Sequence, residues 1–145
     1  MPGILECLRE AFEEFRSRYT LEGFLDTVLT AETLQERFGK MSVFVAVNSV
    51  NQVVGTIACN VLGSGEGHLR GMAVLLSMRG NGVAAQLLRL AETELRSRGC
   101  ARVTLDTTEP LQQAMRFYEK NGYRRSGRVS DFFGMPLIEY QKGLP

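Results

Sequence analysis

The sequence predicts an α/β fold: a mixed sheet, mostly antiparallel, crossed once by a parallel strand–helix–strand connection. Two observations carry this expectation. Segments of helical period and short β-branched runs follow one another as helix, helix, three strands, helix, strand, helix and two strands. The clearest helix lies between the third and fourth strands and follows the glycine loop Arg79-Gly80-Asn81-Gly82. A right-handed crossover between parallel neighbours belongs there.

Taken in order, Ile4, Leu5, Leu8, Ala11, Phe12, Phe15 and Tyr19 recur every three or four positions, which predicts an amphipathic helix over roughly residues 3–18. Residues 19–30 read as a loop. Thr30 is the N-cap of a second helix that runs through Leu34 and Phe38 and stops at Gly39. Residues 42–47 form a short β-branched run and read as a buried strand, with 53–62 as the hairpin partner across the polar turn 48–52. Gly55 inside that partner predicts a bulge or close packing. The glycine-rich residues 63–67 are a turn or loop, and a third strand follows from His68 to about Leu76.

Val83, Leu87, Leu88, Ala91 and Leu95 form one face of the next helix. Arg96 and Arg98 put positive charge at its C-terminal end, where the helix dipole favours it, and Gly99 stops it. Residues 101–105 predict a strand closed by Asp106, 110–120 a helix with Pro110 near its first position, and 123–131 and 136–142 two further strands.

Composition narrows the function classes. A chain of 145 residues fits one domain spanning 1–145. With 17 basic against 16 acidic side chains, net charge +1, nothing recruits nucleic acid or an anionic membrane electrostatically. Cys7, Cys59 and Cys100 are scattered and odd in number, and His68 is the single histidine, so neither a disulfide framework nor a zinc site is expected. No metal, reduced thiols and a cytoplasmic location are the expectation. Residues 1–6 lack the basic-then-apolar pattern of a signal peptide, and no eighteen consecutive apolar residues occur.

The chemistry begins at the glycine loop. Gly80 and Gly82 let backbone N–H groups approach an anion without a Cβ in the way. The helix that follows adds unpaired N–H groups and a positive dipole end, and Arg79 adds a charge. Gly80-x-Gly82-x-x-Ala85, with Asp106 some twenty residues on, also satisfies the dinucleotide fingerprint. Against that reading, Ser77-Met78-Arg79 intervene between strand and first glycine, a hairpin series precedes the loop, and only one helix and two strands follow Asp106.

A second motif decides between anions. Ala114-Met115-Arg116-Phe117-Tyr118-Glu119-Lys120-Asn121-Gly122-Tyr123 lies thirty-odd residues after the loop. The two motifs, in this order and on these elements, resemble the GNAT superfamily of N-acetyltransferases. There an Arg/Gln-x-x-Gly-x-Gly/Ala loop opens a long helix and an Ala-x-x-aromatic-Tyr-Glu-Lys-x-Gly-aromatic segment follows. The resemblance covers about residues 40–142 by motif and the first forty by helix pattern.

The resemblance implies the GNAT-like acyl-CoA N-acyltransferase fold and acetyl-CoA as cosubstrate. Backbone groups of Met72, Ala73 and Val74 would pair with the pantetheine amides as an added strand does. Arg79, Gly80, Asn81, Gly82, Val83 and Ala84 would bind the pyrophosphate. Tyr118 would face the thioester sulfur as general acid, and Phe117 and Tyr123 would pack the helix onto the sheet.

The chain departs from the family pattern in three ways. Leu76 replaces the usual proline after the strand. Leu111 stands where an asparagine often binds pantetheine, leaving Thr107, Thr108 or Gln112 as substitutes. The usual first strand is absent from the pattern: either the chain is trimmed, or the sheet lacks that edge and exposes the strand at 42–48 to pairing with a second subunit in a homodimer.

For the base that must take a proton from the acceptor amine, Glu66, His68 and Asp106 are the candidates, with a water relay as the alternative. The basic run Arg124, Arg125 and Arg128 is either a solvated strand face or a contact for the ribose 3′-phosphate. Two function classes therefore stand: an acetyl-CoA-dependent N-acetyltransferase acting on a small-molecule or protein amine, and a coenzyme A-binding sensor without transfer activity.

Overall fold

A computed structural model describes residues 2–145. Its sheet has six strands: β1 (Ser42–Val47), β2 (Val53–Gly63), β3 (Glu66–Val74), β4 (Arg102–Thr108), β5 (Arg124–Phe132) and β6 (Met135–Gly143). The spatial order is β1-β2-β3-β4-β6-β5, and only β3 and β4 run parallel. The mixed sheet with one crossover is thus as the sequence predicts. β1 is an edge strand, paired on one side with β2.

Among the described residues five α-helices flank the sheet: α1 (Pro2–Phe12), α2 (Leu21–Thr27), α3 (Ala31–Lys40), α4 (Val83–Ser97) and α5 (Gln112–Lys120). The apolar stripe of α4, Leu87, Leu88, Ala91 and Leu95, is buried against Ile57, Cys59, Leu69, Val103 and Leu105 of the sheet, and Met115 and Tyr118 of α5 join the same cluster. A second cluster on the other face joins Ile4, Cys7, Leu8 and Phe12 of α1 to Phe24, Leu34, Ala73 and Leu75. Each buried leucine or phenylalanine contributes about 1.5–3 kcal/mol, so both helical layers are held chiefly by apolar burial. Gly55 serves close packing: a Cβ there would stand 2.9 Å from Leu87 Cδ1. The β1–β2 register also shifts beside it, between Ala46 and Val47.

Several boundaries differ from the sequence reading. The first helix ends at Phe12 and tightens into a 3-10 stretch, Glu13–Arg18. Residues 19–30 hold α2, capped by Thr20, whose hydroxyl accepts from Gly23 N–H at 3.1 Å. Gly23 hides this helix from propensity, yet a Cβ there would press on Thr20 Oγ1 and Phe132. Thr30 caps α3 as predicted, in a reciprocal box with Thr33, and the helix runs to Lys40, one residue past Gly39. The turn at 63–67 shrinks to Ser64 and Gly65, both at positive φ, so β3 begins at Glu66. Asp106 lies within β4 rather than closing it, because β4 pairs with β6 as far as Thr108–Leu137. Pro110 occupies a turn closed by Leu111 N–H to Thr108 C=O, and α5 starts after it.

Candidate active site

Two features of the sheet open a cleft. The β3–β4 ladder pairs Glu66–Arg102 through Leu69–Leu105 and then stops. Beyond that point β3 stays paired with β2 and β4 with β6, so the facing edges of the two parallel strands diverge without a partner. A bulge in β3 causes part of this: three steps from Arg70 to Ala73 oppose two steps on β2, with Gly71 at φ 65°. The cleft belongs to a cavity of about 1010 Å³ lined from β3, β4, α1, α3, α4 and α5.

Side chains alternate across the sheet. Leu69, Leu105 and Thr107 face the α4–α5 layer, whereas His68, Arg70, Asp106 and Thr108 face the layer of α1–α3. The cavity therefore has two chambers, one on each face, meeting at the splay.

The α4 chamber suits an anion tethered to an extended chain. Gly80 and Gly82 hold φ of 86° and 80°, which only glycine adopts cheaply, and a Cβ on either would meet nothing within 4 Å. Gly82 is the N-cap of α4 and no side chain caps that end; the first helical bond is Gln86 N–H to Gly82 C=O. The N–H groups of the first turn are thus available to a ligand. The cavity-side edge of Met72, Ala73 and Val74 has no strand partner. Among the described side chains Thr107 Oγ1 is buried without a hydrogen-bond partner. A ligand amide reaching into the splay would satisfy it. The other two substitutes considered for the missing asparagine are engaged: Thr108 Oγ1 lies 2.9 Å from Tyr19 Oη, and Gln112 Nε2 donates to Glu109 C=O at 2.6 Å. These features fit the pantetheine arm and pyrophosphate of coenzyme A.

Arg79 departs from the expectation of a phosphate-binding side chain. Its guanidinium turns back into the protein, donating from Nε to Val74 C=O at 3.2 Å, from Nη2 to Ala11 C=O at 3.3 Å and from Nη1 to Glu14 Oε1 at 2.8 Å. It fastens the loop to α1, and all three bonds are internal.

Tyr118 lines the cavity from α5 and is 7% exposed. Among the described residues nothing hydrogen-bonds its hydroxyl, and burial alone pushes that hydroxyl well above the ordinary tyrosine range. It stays protonated at any physiological pH. Phe117 and Tyr123 hold its ring edge-on, at centroid distances of 5.5 and 5.8 Å. Tyr123 in turn donates to buried Glu92 at 2.6 Å, and Lys142 closes the cluster at 3.1 Å.

The candidate bases separate. His68 and Asp106 both line the cavity, with Nε2 and Oδ2 3.7 Å apart. His68 Nδ1 lies 2.9 Å from Thr104 Oγ1, whose hydrogen goes to Gly67 C=O at 3.4 Å. In the tautomer that donates Nδ1–H to Thr104 Oγ1, Nε2 is the basic nitrogen and faces Asp106. Burial lowers the pKa of His68, partly offset by Asp106, while burial raises that of Asp106 against the pull of His68. Glu66 is not among the cavity-lining residues: it pairs with Arg102 at 2.6 Å at the start of the ladder. Asn81 is exposed and also outside the lining.

Other residues fall outside the site. Arg125 lies against Tyr140 and Met115, and none of Arg124, Arg125 and Arg128 lines the cavity. The three cysteines are free, buried and outside the cavity lining, and burial pushes the Cys7 and Cys59 thiols up to about 11. Sequence reasoning missed Asp26 and Arg37, which line the α1–α3 chamber; both are ordinary surface-type residues on helices, and no spacing marks them. Among the described residues no group of three or more His, Cys, Asp or Glu could hold a metal ion, and no helix is long and apolar enough to cross a membrane.

Comparison with known proteins agrees with this fold. The model of the acetyltransferase (GNAT) family matches residues 4–123. An acetyltransferase of Agrobacterium fabrum is 43% identical over 53 residues, a match that spans 37% of this chain and 37% of that protein. A GNAT-family acetyltransferase of Staphylococcus aureus superposes with a TM-score of 0.80 at 20% identity, covering 99% of this chain and 92% of that one. The ribosomal-protein-S18-alanine N-acetyltransferase of Escherichia coli gives 0.76 at 16% identity, covering 99% and 86%. At such identities the two structures speak for the fold alone. The match of the family model across most of the chain places this protein in the GNAT family of acetyltransferases.

Proposed function

We propose that the chain is an acetyl-CoA-dependent N-acetyltransferase that moves the acetyl group directly to a primary amine of a small molecule or protein. The splay between β3 and β4 carries this reading, because it joins a chamber fit for a coenzyme A arm to one holding a base. Acetyl-CoA supplies the thioester carbon that the amine attacks. The groups of Met72 to Val74 and the hydroxyl of Thr107 hold the arm, while the N–H groups at Gly80 to Ala84 hold the pyrophosphate.

His68 Nε2 takes the proton that the amine must lose, and Asp106 steadies the resulting imidazolium. The C–S bond breaks and Tyr118 gives its proton to the departing sulfur. Holding the two reactants at the splay supplies the largest share of the rate. Direct transfer is favoured over an acyl-cysteine relay because the cysteines lie outside the cavity lining, and the raised thiols of Cys7 and Cys59 are poor nucleophiles.

A homodimer through the outer edge of β1 belongs to the proposal, and sedimentation of the purified chain tests it. The second reading, a coenzyme A sensor, shares the α4 chamber and differs in turnover alone. A panel of amines with acetyl-CoA, followed by thiol release, separates the two. Stabilisation by NAD without stabilisation by coenzyme A would instead favour the dinucleotide alternative.

A further inference from the structure

In the α1–α3 chamber one partly buried cation stands apart. Arg37, near the C-terminal end of α3, lines the cavity and lies directly over Gly71 at the bulge of β3, where any Cβ would collide with its Nη1. Among the described residues no carboxylate comes within ion-pair distance of its guanidinium and no acceptor hydrogen-bonds it. The nearest acid it senses, Asp26, is held by Arg70 at 2.7 Å. Burial and the charge of Arg70 push the guanidinium down to about 10, still fully protonated at neutral pH. A partly buried cation without a partner is a ready site for a charge-assisted pair with an anionic ligand.

We propose that the acceptor is an amine that also carries a carboxylate, and that Arg37 binds that carboxylate. The inference rests on the transferase reading and names the substrate class for it. The chamber then reads from end to end: Asp106 and His68 draw and deprotonate the ammonium, and Arg37 takes the opposite charge. A planar carboxylate matches the fork of a guanidinium. A phosphate fits less well, because its second charge would meet Asp26 and Asp106 with Arg37, among the described residues, as the one partly buried cation left unpaired to balance them. Arg37 is a specificity residue here; it does not touch the reacting atoms.

The test compares amino acids with their primary amides as acceptors for acetyl-CoA, following thiol release. The amine of an amide is the less basic and so the more available nucleophile, so a preference for the acid must come from the site. Wild type should use the acid about tenfold or more better in kcat/KM, the worth of one charge-assisted pair. Arg37→Met should bring the ratio to within about twofold, and Arg37→Lys should retain part of it. An acid-to-amide ratio near one in wild type, or a ratio unchanged in Arg37→Met, overturns the proposal. An aminophosphonate preferred over the matching amino acid overturns the choice of carboxylate.

A second measurement needs no turnover. With coenzyme A present, N-acetyl amino acids should raise the melting temperature of wild type more than their amides do, and Arg37→Met should lose the difference. Equal shifts by acid and amide in wild type refute the inference. Failure of every amine to release thiol removes the transferase reading and this inference with it, whereas amine use without preference for a carboxylate removes this inference alone.

Discussion

Replacing Arg79 by methionine separates a fastener from a phosphate ligand. The guanidinium makes two bonds to main-chain carbonyls, Val74 at 3.2 Å and Ala11 at 3.3 Å, and one ion pair with Glu14 at 2.8 Å. Glu14 is 47% exposed, so that pair contributes well under 1 kcal/mol. The carbonyl bonds come from a charged donor but are long, and about 1 kcal/mol each is a fair assignment. The loss is then about 2 kcal/mol. With about 2.1 cal/mol/K per residue over 145 residues, the unfolding entropy is about 300 cal/mol/K, so the melting temperature should fall by about 6–7 °C without ligand. Differential scanning calorimetry of the ligand-free variant measures this, and titration with acetyl-CoA measures any loss of affinity. Glu14→Gln should cost much less. An unchanged melting temperature together with a large loss of acetyl-CoA affinity would show that the side chain swings out to bind phosphate and would refute the fastening role.

Other variants probe the remaining parts. Thr107→Val removes a buried hydroxyl that lacks a partner, so the free protein should be unchanged or up to about 1 kcal/mol more stable while acetyl-CoA binds severalfold more weakly; equal affinity in calorimetric titration would exclude Thr107 from the ligand site. Tyr118→Phe should lower turnover at least tenfold and leave acetyl-CoA affinity nearly unchanged, read by steady-state kinetics beside a binding titration. Lys142→Met removes the nearer cation of the buried Glu92 carboxylate, which keeps the Tyr123 hydroxyl and Arg96 at 3.9 Å, and should cost about 1–2 kcal/mol; adding Glu92→Gln should recover most of it in denaturant melts. For pH, a base must be deprotonated to act, so kcat/KM should rise with pH and level off below the ordinary histidine range, since burial lowers the pKa of His68. Asp106→Asn removes the charge that holds this pKa up, so the acid limb should move to still lower pH; a limb that moves upward contradicts the assignment.

The residues that were legible in the sequence are those whose role follows from pattern. The stripe Leu87-Leu88-Ala91-Leu95 announces α4, and Thr30 announces α3, because burial and capping act locally. Gly80, Gly82 and the Tyr118 segment announce the α4 chamber for a similar reason: backbone approach and helix position are coded by nearby residues. The helix α2 escaped notice because Gly23 weakens its propensity, while packing against Phe132 and Met135 decides its identity. The direction of the Arg79 side chain was not legible, since the carbonyl of Ala11 that it meets lies 68 positions away. Glu66, His68 and Asp106 looked alike as bases until the strand register put two of them beside the cavity and paired the third with Arg102. Arg37 acquires meaning only when α3 is laid across the bulge at Gly71.

Amine-dependent release of thiol from acetyl-CoA by the wild-type chain, with the N-acetylated product identified by mass, tests the central claim most directly. The two chambers meeting at the β3–β4 splay predict thiol release that rises with amine and matches the acetylated product one for one. Acetyl-CoA that raises the melting temperature while no amine accelerates thiol release would contradict the claim and leave a coenzyme A sensor in its place.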